Sequence, residues 1–199
     1  MTEPAGTPPH ILDRFHPHAT EIGHFVYASA RLQSSLGELF AALVEPSNPA
    51  LGLAIWNAIK SDGSQRNILE AAAKVALAHD QNAMSDVLWL LQWAKAIATY
   101  RNDAVHTAFF FETGDDGNIH PVPDPLSNPG RLQRLADDDL PALFVRYRDE
   151  LTTLYRYADK LTDQCRQEGE RPPWPERPQL RPSGQSQTRK GPGRQTVAK

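Results

Sequence analysis

One cysteine, Cys165, stands in 199 residues, so a disulfide framework and a multi-cysteine zinc site are both excluded within one chain. No stretch approaches the roughly 18 uncharged apolar residues that a membrane-spanning helix needs. The opening residues, MTEPAGTPPHILDRFHPH, lack the basic-then-apolar order of a secretory leader, and the expected location is the cytoplasm, with no membrane partner. There is no internal repeat, no glycine-rich phosphate loop and no alternation of strand and helix patterns, which excludes the common nucleotide-binding α/β folds. An excess of positive charge is missing as well. Residues 171–199 carry seven Lys/Arg against Glu176, a net +6, but the other 170 residues hold 14 Lys/Arg and 23 Asp/Glu, a net −9. The body therefore lacks the overall basic charge of a protein that coats nucleic acid, and any RNA or DNA site must be local.

What is present fits one globular core: 40% apolar and 23% charged residues, with a mean hydropathy of −0.52. Prolines 4, 8, 9 and 17 mark residues 1–18 as a flexible N-terminus, and a Pro-rich, basic, disordered tail is expected over 169–199. Between them, residues 19–168 read as a helical bundle domain. Ile22, Phe25, Val26, Leu32, Leu36, Leu39, Phe40 and Leu43 recur at helical spacing until Pro46. A shorter helix begins at Pro49; the SDGS stretch interrupts, and a third runs from Gln65 to Ala78. The fourth, from about Asn82 through His106, contains no Gly or Pro and is the central one. Three consecutive phenylalanines and a Gly-Asp-Asp-Gly turn suggest a short β-hairpin near residues 108–122, with an extended loop as the alternative. Prolines 121, 123, 125 and 129 then mark a surface connection. Asp137, Asp138 and Asp139 lead into a long final helix with an apolar seam from Leu140 to Leu161. The expected fold is all-α, a bundle of four to five helices.

The chemistry is concentrated in Tyr100-Arg101-Asn102-Asp103-Ala104-Val105-His106, at the end of the central helix. Arginine can hold a phosphate through two parallel hydrogen bonds, and histidine can take or give a proton near neutral pH. Together they suffice for metal-free RNA cleavage: a base removes the 2'-OH proton, that oxygen attacks the adjacent phosphate, and a cation stabilises the charge that grows on it. Five helical residues rotate by about 500°, which leaves Arg101 and His106 roughly 140° apart around the axis and about 7.5 Å apart along it. A complete site would then need a distorted helix end or a second copy supplying an opposing pair. The competing structural reading makes Arg101 and Asp103 solvated helix-terminal charges, with His106 capping the last carbonyls.

The hexapeptide RNDAVH, an arginine, a polar residue, three further residues and a histidine near the end of a long bundled helix, resembles the motif of the HEPN superfamily. Many members of that superfamily are ribonucleases, often toxins in toxin–antitoxin, abortive-infection or CRISPR-linked defence systems. The resemblance implies Arg101 and His106 as the catalytic pair, with Asn102 assisting. It also implies a homodimer whose two motifs meet in a cleft, no catalytic metal, no cofactor, RNA as substrate and an antitoxin as a further protein partner. Gln65, Arg66, Tyr100 and Asp103 are the expected cleft-lining residues. Some HEPN proteins are inactive or bind nucleotides, so a non-catalytic nucleotide- or protein-binding module is the alternative. A structural adaptor pairing its Leu140–Leu161 helix with another protein is a third reading. Trp56, Trp89 and Trp93 at helical spacing belong more naturally to a core than to a base-stacking surface. His10, His16, His18 and His24 sit in a proline-rich end with no preorganised shell for a metal.

Overall fold

Apolar side chains three and four positions apart build the longest helix, α1 (Pro9–Val44), which buries Phe25, Ala28, Leu32, Leu36 and Leu39 along one stripe. The computed structural model describes residues 9–113, 119–126, 128–135, 140–167 and 173–180. In it α1 starts ten residues before the expected boundary at 19, with Pro17 inside it. Proline removes one helical hydrogen bond. The turn is nevertheless anchored, because His18 is buried edge-on against Phe109 and Phe111 and beside Phe144. Residues 9–18 thus form the first turns of α1, and His18 packs against the hairpin and α6.

The next helices begin where a short polar side chain accepts a free N–H of the first turn. Asn48 does so for α2 (Pro49–Ala58), accepting from Leu51 N at 3.4 Å. Ser61 Oγ accepts from Ser64 N at 3.1 Å and starts α3 (Asp62–Ala76). The SDGS stretch is therefore the cap and first turn of α3, not an interruption before Gln65. Asp80 accepts from Ala83 N at 2.9 Å and starts α4 (Gln81–His106).

After α4, β1 (Phe109–Thr113) pairs antiparallel with β2 (Ile119–Pro123), Phe111 opposite Pro121 and Phe109 opposite Pro123. Asp124 N donates to Ala108 O at 2.8 Å and closes the ladder. The Gly-Asp-Asp-Gly turn lies outside the described residues, as do Asp137, Asp138 and Asp139. A seven-residue helix, α5 (Pro129–Leu135), occupies the expected surface connection; Asn128 Oδ1 accepts from Gly130 N at 3.0 Å at its start. The last helix is α6 (Leu140–Arg166). Six helices and one hairpin thus make the all-α bundle among the described residues, one helix more than expected because α5 forms.

α1 is the spine: it runs along α6 and touches α2, α3 and α4. Phe25 stacks on Phe144 and Tyr147 with centroids 5.9 Å apart in both pairs, joining α1 to α6. The seam of α6, Leu140 through Leu161, is spent inside the bundle, so it is not free for the adaptor reading. Two close approaches need glycine. A Cβ at Gly37 would stand 2.8 Å from Trp56 Nε1, and one at Gly52 would stand 2.6 Å from Ala41 Cα, so α2 rests almost directly on the α1 backbone.

Residues 173–180, expected within a free tail, lie against this bundle. Trp174 and Leu180 pack on the core, and Gln164 Nε2 donates to Pro173 O at 3.2 Å. Trp174 Nε1 donates to Asp86 Oδ2 at 2.5 Å. Arg177 Nε pairs with the other Asp86 oxygen, and its Nη2 donates to Ser85 Oγ at 2.6 Å. An indole that buries its ring needs a partner for its N–H, and the nearly buried Asp86 carboxylate provides it. No helix among the described residues is long and apolar enough to cross a membrane.

Candidate functional site

Each residue of a helix points about 100° away from the last, and the last two turns of α4 use that rotation to address four different surroundings. Tyr100 faces α6, stacked on Tyr147 with centroids 4.5 Å apart. Burial, reinforced by the Tyr100 hydroxyl, pushes the Tyr147 phenol far above its ordinary range. Asp103, 2% exposed, points inward and pairs with Arg131 Nε of α5 at 3.5 Å. Tyr100 and Asp103 are thus packing and anchoring groups rather than cleft-lining ones, because the helix phase turns them toward α6 and α5. Asn102 and His106 are exposed.

Arg101 faces α3. Its Nη2 donates to Asp62 Oδ2 at 2.5 Å, a salt bridge in which the arginine side chain is 27% exposed and the aspartate 43%. Among the described residues its enclosed Nε has no hydrogen-bond partner. The guanidinium borders a cavity of about 520 Å³ whose wall includes Gln33 and Glu38 of α1, Trp56 and Asn57 of α2, and Asp62 and Gln65 of α3. Gln65 is positioned twice: its Nε2 donates to Trp56 O at 2.9 Å, and its Oε1 accepts from Gln33 Nε2 at 2.5 Å. Glu38 is engaged by Arg166. The cavity thus presents a guanidinium, two carboxylates with cationic partners, several amides and one indole.

Arg66, the next residue after Gln65, leaves this cavity and lines a second one of about 460 Å³ between α3 and α4. Burial draws its pKa below the ordinary guanidinium value, Asp62 opposes that shift, and the charge of Arg101 adds to it. Arg101, Asp62 and Arg66 therefore form one alternating chain of charges, plus, minus, plus, across the start of α3.

The structure brings Arg101 and Gln65 to one cavity, places Arg66 on the adjoining one, and leaves His106 bordering neither. In a single chain the expected catalytic pair does not converge, as the 140° rotation requires. His106 does not cap its helix either: Arg131 Nη1 donates to the His106 carbonyl at 3.0 Å, and Thr107 N donates to Asp103 O at 3.0 Å. Its imidazole remains at the surface. Asp62, Gln33 and Trp56 escaped the sequence reading as site residues. Asp62 had one signal, an acid in a capped first turn two residues after a basic one; Gln33 had none. Among the described residues no group of three His, Cys, Asp or Glu could hold a metal ion, and His18 is occupied by its aromatic packing.

No family model, no curated protein and no solved structure matches the chain.

Proposed function

We propose that the chain is a metal-independent endoribonuclease of the HEPN-like kind, acting as a pair of copies in the cytoplasm. The observation that carries this reading is that both reactive groups stay accessible. Arg101 sits at a cavity edge with one carboxylate for its five N–H donors, and the His106 imidazole lies in water at the end of the same helix. Because the two diverge in one chain, the reacting pair is Arg101 of one copy opposite His106 of the other. Val105, 46% exposed, precedes His106 in α4, and Phe110, 55% exposed, follows it in β1; both provide apolar surface for that contact. His106 takes the proton of a ribose 2'-OH; that oxygen bonds to phosphorus while the bond to the 5'-oxygen breaks, and the departing oxygen takes a proton from water. The products are a 2',3'-cyclic phosphate and a 5'-hydroxyl, and Arg101 offsets the charge on the phosphoryl oxygens.

The test is to incubate the full chain with single-stranded RNA in excess chelator. Cyclic-phosphate products, absent when the RNA carries 2'-O-methyl groups, support the proposal. Intact RNA across a range of sequences and protein concentrations overturns it. A second reading has its own support, since the Arg101 cavity excludes His106 and its wall sets amides and an indole beside the guanidinium and two ion-paired carboxylates. That composition suits a nucleotide held without cleavage. Ligand-dependent melting with no cut RNA favours this module.

A further inference from the structure

The groove between α3 and α4 gathers two cations, one on each helix. Arg66 of α3 and Lys95 of α4 line it with the amides of Asn67 and Gln92, over an apolar floor of Leu88 and Leu91. Among the described residues neither cation makes a hydrogen bond or a close ion pair; Asp62 acts on Arg66 only as the shared member of its pair with Arg101. The acid on the groove wall, Glu70, is held by Lys74 at 2.5 Å, and Asp62 is held by Arg101 at 2.5 Å. A half-buried guanidinium beside another guanidinium, with the nearby carboxylates already engaged, is unfavourable unless an anion joins it.

We infer that this groove is a phosphate subsite for the RNA backbone, in which Arg66 and Lys95 bind phosphodiesters next to the one held at Arg101. The identity of the anion rests on the ribonuclease reading; the charge arrangement does not. Lys95 precedes Arg101 by six residues, about 9 Å along α4 and about 120° around its axis, so the groove connects to Arg101 through Arg66, whose charge interacts with both Asp62 and Arg101. Asn67 and Gln92 offer amides that accept or donate according to what the strand presents.

The experiment measures binding of a 2'-O-methyl oligoribonucleotide of about ten residues, which cannot be cut, to the full chain at several salt concentrations. Lys95→Gln and Arg66→Gln are each expected to weaken binding several-fold and to lower the log–log salt slope by about 0.7, the signature of one lost phosphate contact on a single strand. Arg66→Lys should recover much of the affinity, separating loss of charge from loss of fold. Lys95→Gln should leave cleavage of a ribodinucleotide, which reaches only the Arg101 phosphate, unchanged. Native-like affinity and slope in both glutamine variants, with cleavage intact, overturn the subsite and leave the nuclease standing. Oligonucleotide binding that depends on Arg66 and Lys95 in a chain that never cleaves RNA sustains the subsite and removes the nuclease. No binding by the native chain overturns both.

Discussion

The two ends of α4 each join an arginine to a carboxylate, and they do so with opposite consequences. At the N-terminal end the acid belongs to the helix: Asp86, 8% exposed, receives Trp174 Nε1 on one oxygen and Arg177 Nε on the other. Both oxygens are satisfied, and the chain segment that supplies the donors is fastened in place. At the C-terminal end the cation belongs to the helix. Arg101 gives one donor to a half-exposed Asp62 and keeps an enclosed Nε without a partner among the described residues. Each Asp86 oxygen already holds a donor in a nearly buried place, whereas a guanidinium with five donors and one acceptor still has capacity for an anion. Saturation marks a fastening, and leftover capacity marks a place for a ligand.

The largest effect that would sharpen this contrast is kinetic. His106→Ala should lower RNA cleavage by about 10²- to 10⁴-fold, the usual contribution of a positioned acid–base group, without moving the melting temperature, because the side chain is exposed. An undiminished rate would break the assignment at the C-terminal end. Asp103→Ala removes a buried acid and leaves Arg131 with only the His106 carbonyl in place of its carboxylate; it should cost about 3 kcal/mol in denaturant unfolding. Asp86→Ala is expected to cost about 1–3 kcal/mol and to make the 173–180 segment sensitive to protease, since two donors lose their acceptor at once. Asp62→Asn should cost under about 1 kcal/mol, because that pair is half-exposed. It should also tighten RNA binding, since phosphate no longer competes with a carboxylate for Arg101. If Asp62→Asn destabilises as much as Asp86→Ala, the two ends are equivalent and Arg101 is a structural fastening.

The smallest effect concerns a titratable group buried with aromatic rings. Burial lowers the His18 pKa below its ordinary 6.5, so the folded chain binds fewer protons there than the unfolded one. The stabilisation is complete above the unfolded pKa and is lost as pH falls below about 6.5 toward the lowered folded value. Melting temperature measured from pH 7.5 to 5 should therefore decline, and His18→Phe should flatten the decline. An unchanged slope in that variant would show that other groups carry the pH dependence.

Much of the bundle is written in local pattern. The spacing of Phe25, Leu32, Leu36 and Leu39 defines α1, and that of Leu140, Phe144, Tyr147, Leu151 and Leu154 defines α6, because one apolar stripe suffices to specify a buried helix. Propensity misled where tertiary packing overrode it. Pro17 looked like a terminus until His18 found Phe109, Phe111 and Phe144, and the proline-rich 173–180 looked free until Trp174 found Asp86. The site divides along the same line. The cation and imidazole were readable as a hexapeptide, and Gln65 could be placed beside Arg101. The Asp62–Arg101 pair spans 39 residues and Gln33–Gln65 spans 32; no local periodicity encodes such distances. The 140° separation of Arg101 and His106, by contrast, followed from helix geometry alone.

The hairpin carries a consequence for how this chain meets others. Because Asp124 N turns inward to Ala108 O, the alternation of a strand turns the backbone nitrogens of residues 121 and 123 outward, and both are prolines. The outer margin of β2 therefore offers no N–H at two successive outward positions, and a third strand arriving there would find acceptors without donors. A hairpin holding three phenylalanines in a row is in this way barred from growing by strand addition on that side, while its exposed ring, Phe110, stays available for side-chain contact.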